Sequence, residues 1–134
     1  MAMPVTPKRV DELLRFLPLF DQAEGGSVAS WRGGEKTSDG AITAPVAAYP
    51  PDVEEFFRLA GRACWCDWDY DPVEAETMLA DDHLVRRATI WQIRTMLTYC
   101  VRGERFCEGH WDDVLRSGRV ASLLRRLQVL RREM

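Results

Sequence analysis

Residues 98–111 read T-Y-C-V-R-G-E-R-F-C-E-G-H-W, and apolar residues recur at helical spacing on both sides of this stretch. Before it, Ile90, Ile93, Leu97, Cys100 and Val101 form one stripe. After it come Trp111, Val114 and Leu115, then Val120, Leu123, Leu124, Leu127 and Leu130. Three helices must therefore reverse direction around one short turn, and Gly103 and Gly109 permit the reversals. Thr89 and Gln92 head the first stripe at the spacing of a reciprocal capping box. Gly103 falls where a helix commonly ends on a left-handed residue, and Ser117-Gly118 closes the second stripe.

The rest of the chain follows the same logic. Thr6-Pro7 predicts a helix start, a hydroxyl cap followed by proline. Val10, Leu13, Leu14 and Leu17 give that helix one apolar face, and Pro18 is expected to stop it. From Asp21 to Pro50 the pattern changes to small residues and turn formers. Two strands are predicted, about 27–32 and 41–49, joined through G-G-E-K-T-S-D-G, with a free edge or bulge at Pro45 and a mobile tip. Pro50-Pro51-Asp52 opens a helix that buries Val53, Phe56, Phe57, Ala60 and Cys64, with Asp52 and Glu55 expected as its capping box. Asp71-Pro72 with Glu74 predicts a short helix to about residue 80. The expected fold is α+β: one mostly helical domain over residues 1–134, with a single antiparallel β-hairpin packed on a helical bundle.

Composition narrows the function. At 134 residues the chain can bury a core without staples, and its 46% hydrophobic and 29% charged residues are ordinary for a globular protein. A net charge of -3 argues against nucleic acid. No apolar run approaches the roughly 18 residues of a membrane span. M-A-M-P-V-T-P-K lacks the apolar core of a secretion signal, which predicts a cytoplasmic protein with reduced thiols. Cys64-x-Cys66 and the pair Cys100 and Cys107 have poor spacing for zinc. Asp67, Asp69 and Asp71 alternate like a calcium loop, but Pro72 and Met78 occupy the positions that need glycine and glutamate. The segment reads instead as an acidic rim beside buried Trp65 and Trp68, and no metal or cofactor is expected.

Charge is uneven. Residues 52–82 hold ten acids and two arginines, while residues 116–134 hold six arginines and one acid. The simplest expectation is that these two faces meet within the molecule, with Arg119, Arg126 and Arg131 laying their stems along the edges of the last apolar stripe.

L-T-Y-C-V-R-G-E-R-F-C-E-G-H-W followed by R-V-A-S-L-L-R-R-L resembles a bacterial family classed as a domain of unknown function. That family shares L-T-x-x-V-R, then R-F-x-x-G-H, a short helix and a leucine-rich last helix. The L-L-x-F-L-P start, the W-x-G-G-E hairpin with its D-G turn and the tryptophan-rich D-W segment extend the likeness over nearly the whole chain. The resemblance implies a small α+β domain, sometimes appended to macro domains that handle ADP-ribose, and brings no catalytic residue. Cys64, Cys66 and Cys100 are not part of its pattern.

Candidate chemistry concentrates in the central turn. Arg102, Arg105 and His110 are expected near the start of the Trp111 helix, where free amides and the helix dipole favour a small anion. The competing expectation makes Arg105 a structural clamp and Phe106 a core residue, with Arg105→Ala costing about 1–3 kcal/mol and Phe106→Ala about 3–5 kcal/mol. An enzyme would draw on Cys107, His110 and Glu108, in ADP-ribose or nucleotide metabolism. The preferred expectation is a module binding a protein partner or a small anionic ligand. The thiol spacing predicts that the purified protein carries no stoichiometric metal. Elemental analysis by mass spectrometry checks this, and one zinc per chain would contradict it.

Overall fold

A computed structural model describes residues 4–23, 26–34, 36, 38–42 and 44–134. Helix α1 (Pro7–Leu14) starts as its sequence requires: the Thr6 hydroxyl accepts the Arg9 amide and proline sits in the first turn. Pro18 does not stop it. The helix ends earlier, and α2 (Leu17–Ala23) begins with Pro18 inside its own first turn. A first-turn amide has no intrahelical acceptor, so proline loses nothing there. The break turns Phe16, Leu17 and Phe20 into the core.

Strands β1 (Ser30–Arg32) and β2 (Val46–Ala48) pair antiparallel, Ser30 with Ala48, Trp31 with Ala47 and Arg32 with Val46. The ladder is shorter than the predicted strands. It breaks at Pro45, which has no amide to donate, opposite Gly33 at φ +92°. A Cβ at Gly33 would lie 2.3 Å from the Ala44 carbonyl oxygen, so glycine is what lets the two chains close here. The same register resumes at the Lys36–Ile42 bridge. Asp39 accepts the Ala41 amide beside Gly40 at φ +90°. Glu35, Thr37 and Thr43, which belong to the expected tip and second strand, lie outside the described residues.

Helix α3 (Pro51–Ala60) is capped by Pro50 without a side-chain bond, so the expected Asp52–Glu55 box does not form. The helix starts two residues too early for it, and Glu55 instead accepts from Arg58 Nε at 2.8 Å. Asp71 caps α4 (Pro72–Leu79) through the Val73 and Glu74 amides, and Asp81 caps the one-turn α5 (Asp82–Val85). Helix α6 (Ile90–Arg102) has both halves of the predicted box: Thr89 Oγ1 accepts the Gln92 amide and Gln92 Oε1 accepts the Thr89 amide. A 3₁₀ turn over residues 103–105 continues α6. Then come α7 (His110–Arg116) and α8 (Arg119–Arg132), the latter entered through Gly118 at φ +80°.

Helix α8 packs against α1, α2, α5, α6 and α7, while α3 and α4 pack on α6. Leu123, Leu124 and Leu127 of α8 are fully buried. An aromatic ladder crosses the core: Phe20 meets Phe56 edge-on at 4.7 Å, Phe56 meets Phe57 at 5.1 Å, and Phe57 stacks on Trp111 at 4.3 Å. The chain is thus α+β and mostly helical, with one two-stranded hairpin. Among the described residues no helix is long and apolar enough to cross a membrane.

The two charged regions meet as neighbours and not, among the described residues, as ion pairs: Asp82 shares a cleft with Arg125 and Arg126, and Glu76 shares one with Arg119. Arg131 pairs with Asp11, Arg125 with Asp21 and Arg116 with Asp113, all outside the acidic 52–82 region. Helix α8 also lies against α1 and α2, whose Asp11 and Asp21 take two of these pairs. Phe56 is wholly buried between Phe16 and Phe20. Phe56→Ala is expected to lower stability by about 3–5 kcal/mol in urea unfolding.

Candidate functional site

The Glu104 carboxylate closes the central turn. It accepts the Tyr49 hydroxyl at 2.8 Å, the Gly109 amide at 2.9 Å and the Trp111 amide at 2.9 Å. Two of those donors are free amides at the start of α7, so the anion expected at this helix end is already present as the chain's own side chain. Trp111 Nε1 returns a bond to the Val101 carbonyl near the end of α6. One residue on, buried Asp112 accepts the Ser27 hydroxyl and the Val28 and Ala29 amides, while Glu108 accepts the Ala47 amide. Three acids of this region therefore hold the hairpin.

Gly103 is right-handed at φ -59°, ψ -28°, not the left-handed end residue expected. What it supplies is room: a Cβ would lie 2.2 Å from His110 Nε2. The imidazole packs on Gly103 and donates from Nε2 to the Tyr99 carbonyl at 3.2 Å, with its ring edge-on to Tyr99. His110 is 8% exposed, and burial holds its pKa below the ordinary value of 6.5. Gly109 does take the left-handed conformation, at φ +88°, with the Trp31 ring against it.

The predicted trio is split between two clefts. Arg102 and Arg105 line a groove of about 300 Å³ with Gly61, Cys66, Trp68 and Thr98. The Arg102 guanidinium lies 5.7 Å from the Trp68 ring and 5.9 Å from the Tyr70 ring. His110 lines a separate cleft of about 620 Å³ with Glu76, Tyr99, Asp113, Arg116 and Arg119. Arg105 is exposed and has no ion pair or hydrogen-bond acceptor among the described residues, so it is not the expected clamp. Phe106 is 82% exposed and Trp68 72% exposed, against the expectation that both are buried. Trp65 and Trp111 occupy the neighbouring apolar space instead: Trp65 is fully buried, and Trp111 stacks on Phe57.

The segment carrying Trp68 is fixed on α6 by groups that spacing did not reveal. Thr98 Oγ1 accepts the Asp67 amide, Thr95 donates to Asp67, and the buried Arg94 donates to the Cys66 carbonyl while lying 4.7 Å from the Trp91 ring. The nucleophile candidates do not converge. Cys107 is exposed, with its thiol 3.9 Å from the Glu108 carbonyl; His110 turns to Tyr99, and Glu108 turns to the hairpin. Burial raises the pKa of Cys64 and Cys66 and pushes Cys100 up to about 12, which keeps these thiols protonated. Among the described residues no group of three histidine, cysteine or acidic side chains is placed to hold a metal ion.

A family model described as a family of unknown function (DUF6508) matches residues 5–133. No curated protein and no solved structure matches the chain.

These positions reverse the order of mutational sensitivity. Arg105→Ala and Phe106→Ala are each expected to change stability by less than about 0.5 kcal/mol, whereas Asp112→Ala, which strands several donors, costs about 1–3 kcal/mol. Denaturant melts rank the three variants. The lowered pKa of His110 also sets a pH dependence. The unfolded chain takes up this proton below 6.5 while the folded chain resists it. The contribution is complete above 6.5 and lost as pH falls below it, and melts of His110→Gln are expected to lose less stability over that acidification.

Proposed function

The chain belongs to the DUF6508 family, which brings no activity with it, and we propose that this member is a binding module for a small anion that carries a flat ring. The observation that supports this reading is the groove between α3, α6 and the 65–70 segment. Its lining holds two guanidiniums, Arg102 and Arg105, and the exposed indole of Trp68, but no carboxylate. Neither arginine is in an ion pair among the described residues, whereas Arg125 and Arg131 of α8 pair with Asp21 and Asp11. Guanidinium groups grip phosphate or carboxylate with paired donors, and an indole face accepts a flat ring by stacking. Trp68 is already oriented by Arg102, which lowers the cost of ordering it around a ligand. Nucleoside phosphates have this combination of ring and charge.

An enzyme built on Cys107, His110 and Glu108 is the weaker reading, because each of those side chains faces a different partner. A protein partner is the stronger alternative. Trp68, Trp91 and Phe106 are large and exposed, and a partner could cover them.

Titration of the protein with AMP and with inorganic phosphate, followed by amide and indole NMR shifts, tests the proposal. AMP is expected to shift Trp68 and residues 102–105, and to bind more tightly than phosphate alone. Arg102→Ala and Arg105→Ala are each expected to weaken AMP by about tenfold, the effect of one charge-assisted contact, and Trp68→Ala to erase the advantage of AMP over phosphate. Absence of AMP-dependent shifts at Trp68 would sink the reading and leave the exposed rings to a protein partner.

A further inference from the structure

We infer that the cleft between α4, α6, α7 and α8 is a second site, one that takes a small aminocarboxylate: a molecule carrying one ammonium and one carboxylate. The cleft does not overlap the Arg102–Arg105 groove, and the inference does not depend on the reading of that groove. It starts from His110. The imidazole is more than nine-tenths buried, and Nε2 is committed to the Tyr99 carbonyl. Nε2 therefore carries the proton and Nδ1 is a bare acceptor. Among the described buried side-chain atoms only Arg94 Nε lacks both a partner and solvent, so Nδ1, which has no protein partner, reaches solvent. His110 lines this cleft, and on this inference Nδ1 is the neutral acceptor it presents there.

The charged groups around it fall into two kinds. Asp113 and Arg116 satisfy each other at 2.8 Å. Glu76, on α4, and Arg119, on the first turn of α8, are in no ion pair among the described residues. The cleft thus offers one free carboxylate, one free guanidinium and one neutral acceptor. An ammonium group donates to Glu76 and His110 Nδ1, and a carboxylate accepts from Arg119. Helix α8 adds to the second contact: it begins at Gly118 with no side-chain cap, and Ser117 and Arg119 both line the cleft. Its amide end is positive and, unlike that of α7, carries no carboxylate of the chain. Water solvates both side chains, since Glu76 is exposed and Arg119 partly exposed; both charges are assigned to the ligand because only such a ligand engages both of them.

The test uses the intact chain and four probes: glycine, L-alanine, acetate and methylammonium. Amide NMR titrations are expected to show glycine and L-alanine shifting Tyr99, His110, Ser117 and Arg119, with acetate and methylammonium each binding at least about fivefold more weakly. Arg119→Gln and Glu76→Gln, both at accessible positions, are each expected to remove that preference while leaving the spectrum of the unliganded fold intact. His110 is not substituted, because Gly103 and Tyr99 pack on its ring. No shift in the cleft with any probe overturns the inference. So does acetate binding as well as L-alanine, which would leave only an anion site, and so do shifts that move to Trp68 and Arg105 instead of the cleft.

Discussion

A single carboxylate, that of Glu104, decides how the helical part and the hairpin meet. Half-burying a charge is costly unless hydrogen-bond donors replace its water, and here the tyrosine hydroxyl and two backbone amides do so. The amides are otherwise unsatisfied donors at the head of α7. The hydroxyl belongs to Tyr49, the residue that follows β2, and the same Tyr49 oxygen accepts the Asp112 amide. One interaction therefore caps a helix, fixes the angle between α6 and α7, and anchors one leg of the hairpin. Asp112 anchors the other leg at residues 27–29. Both anchors are needed, because a ladder of three residue pairs with exposed faces is not stable alone.

The burial of Tyr49 is part of the same lock. Burial and the adjacent Glu104 both push its pKa up, so the phenol stays protonated and remains a donor. Trp111 completes the arrangement by stacking on Phe57, contacting the Tyr49 ring at 5.2 Å, and donating to the Val101 carbonyl. The aromatic ladder of the core and the polar lock of the turn thus share one side chain. A change to the ring at position 111 disturbs apolar packing and hydrogen bonding together, and such coupled sites give non-additive effects.

Much of the fold was legible because helices announce themselves through period and caps. Thr89 with Gln92, Asp71 before Pro72, and Thr6 before Pro7 all act as their chemistry requires. Pro18 misled because proline ends one helix and starts the next with equal ease. Trp68 and Phe106 misled because an aromatic residue does not state which face it is on. Gly103 misled in a more instructive way: its value is the missing Cβ beneath His110, a contact between residues on different helices that no local pattern encodes. Glu104 was hidden for the same reason. A carboxylate that accepts amides five and seven residues ahead leaves no periodic trace, so the turn looked like an empty anion site when it was a filled one.

That filled site explains why the basic residues of the turn separate. With the head of α7 neutralised from within, Arg102 and Arg105 have no anion of the chain to face, and they project along the 3₁₀ extension of α6 toward Trp68 instead. His110 stays behind, held by Gly103 and the Tyr99 carbonyl, and opens onto the other cleft. The net charge of -3 is spread unevenly as a result. Carboxylates are spent on helix caps and on the arginines of α8, and a groove without any is left at the end of α6. On the binding reading proposed above, such a groove on an acidic protein would favour small anions over polyanions: the guanidiniums attract at short range, while the surrounding charge repels at distances that salt only partly screens.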